Sequence, residues 1–307
     1  MTAVRASEVV EFQTAVAGVE IDWVRTDEGF GEASMVSSGD QRICVSTGGL
    51  DFSTVMNSQI PADRLALQLV TSAPSGLSWC GSEADDMEVR AFGPTMSVFG
   101  NVPAGSRAVT VVAWLDPLAE ISSDLCLGDL DIPSRPEALP ETAQMRGLVR
   151  DLVTATAEPG LVDIEAGATR LLETVARALA SVDNGAGSAP TRGFSSRDIV
   201  AACLDYVEST GVHQPAISEL CAVAFASETR LRQAFVEMLG VPPVQYFAYR
   251  VLSQLRNDLL RAHPDDLTVT RAATSLGLTQ LGRVAGRYRA LFGETPSETL
   301  NGGSLRS

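Results

Sequence analysis

The rhythm of hydrophobic and polar positions changes twice along the chain. Between Gly29 and Gly128 short apolar runs are broken by Gly, Pro, Ser and Asp. Examples are Arg42-Ile-Cys-Val45, Leu65-Ala-Leu-Gln-Leu-Val70, Met96-Ser-Val-Phe99 and Arg107-Ala-Val-Thr-Val-Val-Ala-Trp114. Runs of that kind predict the strands of a sandwich or barrel over about residues 20–130. From about Pro140 to Ser181 the period lengthens. Leu148, Leu152, Leu161, Ile164, Ala168, Leu171, Leu172, Val175 and Leu179 recur at three and four residues, which predicts amphipathic helices over about 140–182. Glu158-Pro159-Gly160 separates two of them. Such a pair either packs on the barrel or forms a dimer seam, and the apolar stripe supports both. Asp183 to Gly193 is rich in Gly, Ala, Ser and Pro and reads as a flexible linker. The expected partition is 1–182, a linker at 183–194, and a second unit at 195–300.

The second unit contains an internal repeat. Ile217 to Phe235 followed by Gly240 and Pro243 matches Val269 to Tyr288 followed by Gly293 and Pro296. Phe235 and Tyr288, Gly240 and Gly293, and Pro243 and Pro296 each stand 53 apart, whereas Ser227 and Thr279 stand 52 apart. The second copy therefore has one extra residue near its turn. Each copy parses as a short helix, a tight turn, a second helix, a Gly stop and a Pro that opens another helix. Ser227 and Thr279 are suited to N-cap the second helices, and Gly277 suits a turn that needs positive φ. This is helix-turn-helix punctuation.

The faces of the second helices agree. Leu231, Ala234, Phe235, Met238 and Leu239 fall inward in the first copy, and Thr229, Arg232, Gln233 and Val236 outward. In the second, Leu281, Val284, Ala285, Tyr288, Leu291 and Phe292 fall inward, and Gln280, Arg283, Arg287 and Ala290 outward. Arg and Gln suit base edges in a major groove, and Arg also suits phosphate. Gly282 and Gly286 each cost a helix roughly 1 kcal/mol relative to Ala. They either admit DNA close to the backbone or pack on a neighbouring helix. Between the copies, Gln245 to Ala262 carries Tyr246, Tyr249, Val251, Leu252, Leu255 and Leu259 at helical spacing. A helix of that length is roughly 25 Å long, enough to set two readers about one DNA turn apart, ~34 Å, once their own size is added. His213 and His263 fall at helix ends, where capping or solvation is their expected role.

Charge sharpens the partition. The 307 residues carry 23 Arg, no Lys and 38 acids, a net charge of −15. Residues 1–194 hold 12 Arg and 27 acids (12 − 27 = −15), and 195–307 hold 11 of each. The first part repels a polyanion, and the neutral second part can bind one through locally clustered arginines. Five well-separated cysteines (Cys44, Cys80, Cys126, Cys203, Cys221) without CxxC point away from a disulfide scaffold or zinc ribbon and towards a reducing cytoplasm. No apolar run approaches the ~20 residues of a membrane span, and Met1 to Glu11 lacks a signal-peptide apolar region.

The first part has no histidine, which leaves it without the usual nitrogen ligands of a metal-dependent barrel. No cofactor or metal is expected, nor any nucleophile–base arrangement. Trp23, Trp79, Phe92, Phe99 and Trp114 either fill a core or line an apolar effector cavity. The acidic run Glu83, Asp85, Asp86 and Glu88 reads as a solvated loop.

Residues 195–300 resemble the AraC/XylS family of transcription regulators. The matching text is Leu220-Cys221 to Ser227, Leu231 to Phe235, Gly240-Val-Pro-Pro-Val-Gln-Tyr246, Arg250-Val-Leu252 and Phe292-Gly293-Glu-Thr-Pro296. Cys221 stands where the family usually has alanine, and Phe225 where it has the turn glycine. The resemblance implies an α+β protein: a cupin-like barrel for effector binding or dimerisation, then an all-α domain with two helix-turn-helix motifs. It implies double-stranded DNA and RNA polymerase as partners and a domain for a small-molecule effector or dimerisation; the 140–182 helices make a homodimer the expected assembly, and the missing histidines and nucleophile–base pair argue against an enzyme. Family base-contact positions fall on Thr229, Arg232 and Gln233, and in the second copy near Leu281, Gly282 and Gly286. The latter are poor readers, so readout there shifts to Gln280, Arg283 and Arg287 or to backbone contact. Arg230, Thr279 and Arg289 complete the candidate DNA contacts. The alternatives are a regulator answering to a protein partner or redox state and, least favoured, a barrel enzyme.

Overall fold

The computed structural model describes residues 4–6, 19–29, 31–40, 42–85, 88–133, 137–139, 164–181, 195–263 and 267–303, with a few positions between 147 and 151. The 183–194 linker and most of the 140–163 helix lie outside the described residues.

Among the described residues, twelve strands occupy the first part: β1 Val4–Ala6, β2 Ile21–Arg25, β3 Ala33–Gly39, β4 Ile43–Leu50, β5 Thr54–Gln59, β6 Arg64–Ser72, β7 Ser78–Trp79, β8 Ser82–Glu83, β9 Val89–Phe92, β10 Ser97–Val102, β11 Arg107–Trp114 and β12 Glu137–Ala138. They form a seven-stranded sheet, β1-β3-β4-β11-β6-β9-β12, and a five-stranded sheet, β2-β5-β10-β7-β8. Among the described residues every strand pairing is antiparallel. Alternation explains the layering. In β6, Leu65, Leu67 and Leu69 face one core, and Ala66 and Val70 face another. The second core lies between the sheets and also takes Ile21, Met56, Trp79 and Val98 from the small sheet.

Helices α1 Leu115–Asp124 and α2 Ile164–Ser181 cover the outer face of the large sheet. Helix α1 was not among the expected elements. Leu115, Leu118 and Ile121 recur every three residues and Pro117 sits in its first turn, where a missing N–H costs nothing. It begins without a break from β11, so the strand signal masks its start. Leu171, Leu172, Val175 and Leu179 of α2 are fully buried against the sheet. Of the two readings left open for this stripe, packing on the strands is the one observed.

Among the described residues, seven helices follow: α3 Ser196–Thr210, α4 Ile217–Val223, α5 Glu228–Leu239, α6 Pro243–Arg261, α7 Val269–Ser275, α8 Leu281–Phe292 and α9 Pro296–Gly303. They make two cores. One joins α3, α4, α5 and the start of α6 and also takes in Val24, Val55 and Phe99 from the outer face of the small sheet. The other joins the rest of α6 with α7, α8 and α9. The small sheet therefore seats the first helical core. Arg250 Nε reaches Asp22 at 3.0 Å across this seam, and the Arg25 N–H donates to Ser253 Oγ at 3.4 Å.

The five aromatics proposed for one cavity do not converge. Trp23 and Trp79 line the space between the sheets. Phe92 is buried in that same core. Phe99 has opposite parity to Val98 and so faces the helices instead. Trp114 lies at the end of β11, with the Arg64 guanidinium 4.6 Å from its ring centroid. In the acidic run Glu83 and Asp85 are exposed, as expected, whereas Glu88 is half-buried: it pairs with buried Arg90 and its carboxylate accepts from the Asp85 N–H.

Candidate nucleic-acid interface

Each helical copy is built by the residues that punctuate it. Ser227 N-caps α5, its Oγ accepting from the Arg230 N–H at 3.3 Å. Gly240 and Gly293 end α5 and α8 at φ +74° and +76°, a left-handed stop that glycine adopts without strain. Pro243 opens α6 where no N–H is needed. Thr279 is not a cap. Helix α8 starts one residue later than that alignment implies, with Gln280 at the cap position and no side-chain cap bond. The extra residue falls after the turn: α4 and α7 are offset by 52, α5 and α8 by 53.

Both turns place a left-handed residue at the same point, Phe225 at φ +47° and Gly277 at φ +75°. The first motif thus keeps the glycine geometry with a phenylalanine in it. That ring is 82% exposed. A side chain in this region costs roughly 1–2 kcal/mol per residue.

The inward faces are buried as the pattern requires. Leu231, Ala234, Phe235, Met238 and Leu239 hold α5, and Val284, Tyr288, Leu291 and Phe292 hold α8. Tyr288 donates to or accepts from Thr299 at 2.8 Å, and Phe235 packs edge-on to Tyr246. Thr229, Arg232, Gln233, Thr279, Gln280, Arg283, Arg287 and Arg289 are exposed. Arg230 is half-buried and its guanidinium lies 3.9 Å from Glu237 on the same helix. Arg283 donates to Gln280 Oε1 at 3.0 Å, which orients both side chains at the start of α8. A Cβ added at Gly282 or Gly286 would meet nothing within 4 Å. Neither glycine therefore serves close packing within the described residues, and both leave bare backbone on the outer face.

The two outward faces open on the same side of α6. A groove of about 730 Å³ is lined by Arg232 of α5 and Arg287 of α8, with Gln245 and Tyr249 of α6 between them. An adjoining hollow of about 580 Å³ is lined by Thr279, Gln280, Arg283 and Gly286. Val244, Gln245 and Tyr249 were not among the sequence candidates. Val244 is 66% exposed just after Pro242-Pro243, an apolar residue outward at a helix start, and that was their signal. Glu28, from the loop after β2, also reaches the groove edge.

Two exposed helices, each behind a tight turn and opening onto one groove, define a module of the double helix-turn-helix class. Residues 220–302 match the family model described as a helix-turn-helix domain. Over 102 residues the chain is 32% identical to the probable thc operon regulatory protein of Rhodococcus erythropolis, covering 33% of this chain and 31% of that one. Over 135 residues it is 27% identical to the XylDLEGF operon transcriptional activator 2 of Pseudomonas putida, covering 44% of this chain and 80% of that one. The match thus spans under a third of the Rhodococcus relative's length. Among solved structures, the AraC-like transcriptional activator CuxR aligns at TM-score 0.40 and 14% identity over 91% of this chain and 100% of that one. ToxT from Vibrio cholerae O395 aligns at TM-score 0.32 and 10% identity over 92% of this chain and 97% of its own. The carboxy-terminal part of the chain carries a helix-turn-helix domain over residues 220–302, similar in sequence to those two operon regulators. The relatives it matches are named as operon regulators.

Proposed function

We propose that the chain is a sequence-specific transcription regulator that grips double-stranded DNA with α5 and α8. The observation that carries this reading is the shared groove: Arg232 and Arg287, from the two copies, line one surface across α6. Helix α6 has 19 residues, about 28 Å at 1.5 Å per residue. That span suits two readers in successive major grooves. Thr229, Arg232 and Gln233 read bases from α5, and Gln280, Arg283 and Arg287 from α8, with Arg230, Thr279 and Arg289 near phosphate. The relatives' names as transcriptional activators favour activation, with RNA polymerase as the protein partner. Binding of the full chain to its own upstream DNA, followed by fluorescence anisotropy, tests the reading. Arg232→Ala and Arg283→Ala should each cost about 1–3 kcal/mol if they read a base. Unchanged affinity in both would reject it.

In the same reading the strand-rich part, 1–182, receives a small apolar effector between its sheets. Trp79 is 2% exposed and lines this space, and its indole Nε1–H has no hydrogen-bond partner among the described residues. The space is only about 80 Å³, so an effector of more than a few heavy atoms must part the sheets. Thermal shifts across a metabolite panel test this, because a ligand that binds only the folded state raises the unfolding midpoint. The chain acts as a homodimer in this reading. The stripe of α2 is covered by its own sheet, so the two-fold contact uses another face, and light scattering checks the mass.

A further inference from the structure

We propose, resting on the DNA reading of α5 given above, that Val236 recognises the 5-methyl group of a thymine. That makes it a specificity residue beside Arg232 and Gln233, and it names the base and the atom that it selects.

Among the described residues three large apolar side chains are exposed: Phe225, Val236 and Val244. All three belong to the first motif or the start of α6, and none to the second motif. Val236, 46% exposed, is the one on a reading helix. It follows Thr229 by seven residues, so at 3.6 residues per turn the two lie within about 20° of each other. Arg232 and Gln233 lie about 40° and 60° to either side of Val236. All four are exposed. Val236 thus stands at the centre of the outward face. The acid beside it is held elsewhere: Glu237 accepts from Ser196 Oγ at 2.6 Å, at the start of α3, and lies 3.9 Å from Arg230.

The second copy supplies an independent contrast. The offset of 53 that pairs Phe235 with Tyr288 also pairs Val236 with Arg289, which is exposed. An arginine at that position suits phosphate. Valine has no donor or acceptor for phosphate or for a base edge. Laid over a polar edge, it would strip water and replace none of the lost bonds. The apolar feature that the major groove does offer is the thymine methyl. Helix stability does not call for valine here either. A β-branched residue is a poorer helix former than alanine, and an outward one gains little from the core.

Uracil scanning tests this. Each thymine of the protected upstream DNA is replaced singly by deoxyuridine, which removes the methyl and leaves the O4 acceptor in place. Binding of the full chain is followed by fluorescence anisotropy. The parent should weaken about fourfold at one or two positions inside the stretch whose protection depends on Arg232, the worth of one buried methyl group. Val236→Ala should lose that sensitivity, and unfolding cannot be the cause because alanine favours the helix. Val236→Ile, which keeps the branched surface, should retain it. Arg232→Ala on unsubstituted DNA checks separately that α5 reads DNA, so failure of that reading is told apart from failure of this one. The proposal is overturned if no thymine in that stretch responds in the parent, or if Val236→Ala responds as the parent does.

Discussion

The Gly29 N–H donates to the Ala290 carbonyl at 3.0 Å, so the loop after β2 caps the last turn of the second reading helix. The final four carbonyls of a helix lack partners of their own, and this bond satisfies one of them from a distant part of the chain. Gly29 sits at φ +115°, a conformation that side chains resist. The same loop carries Glu28 into the groove of Arg232 and Arg287. The acidic first part thus touches the face proposed for DNA.

Glu28→Gln should therefore tighten DNA binding. One like charge removed from phosphate at about 10 Å in water-like surroundings is worth a few tenths of a kcal/mol, roughly a twofold gain. Anisotropy titrations at two salt concentrations check it, and the gain should shrink as salt screens the charge. Equal affinity at low salt would show that Glu28 does not face the nucleic acid.

The two left-handed turns provide a matched pair. Phe225→Gly relieves backbone strain but adds unfolded-state freedom, so a net gain of about 0.5–1 kcal/mol is expected. Gly277→Ala introduces the strain that Gly277 avoids and should lose about 1 kcal/mol. Thermal unfolding midpoints should move in opposite directions. A fall in both would mean that the Phe225 ring contributes contacts worth more than its strain.

The seam between the two parts rests on Arg250 and Asp22, whose side chains are 13% and 31% exposed. Arg250→Ala strands a half-buried carboxylate and should destabilise by about 1–3 kcal/mol, below the cost at a fully buried pair because water still reaches Asp22. A double-mutant cycle with Asp22→Ala should return a favourable coupling of about 1 kcal/mol. Zero coupling would mean that the pair does not hold the seam in solution.

The thiols should separate by reactivity. Burial pushes Cys203 up to about 12, while Cys126 is exposed. Iodoacetamide at mildly alkaline pH should label Cys126 and spare Cys203 until the chain unfolds, as mass spectrometry of digests would show. The unfolded thiol ionises first as pH rises, so Cys203 removes stability between its ordinary range and about 12, and none at neutral pH. Early labelling of Cys203 would contradict its burial.

The sequence made the helical part legible because its signals are local. Gly240, Gly293, Pro243 and the inward stripes on α5 and α8 each act within a turn or two. Thr279 misled because a good capping residue says nothing of where the extra residue of the second copy is absorbed. The strand-rich part was legible as strands but not as layers. Phe99 and Val98 are neighbours with opposite parity, and which face met the helices depends on pairing across the whole sheet. The seam and the Gly29 contact were not legible, because Asp22 and Arg250, or Gly29 and Ala290, meet only after the two parts dock.

A single chain that reads two successive major grooves leaves two separate protections on DNA. Hydroxyl-radical footprinting of the full chain on its upstream DNA tests it most directly. Two protected stretches about one helical turn, ~34 Å, apart are expected, one weakened by Arg232→Ala and the other by Arg287→Ala. A single protected stretch lost equally in both variants, or none at all, would contradict it.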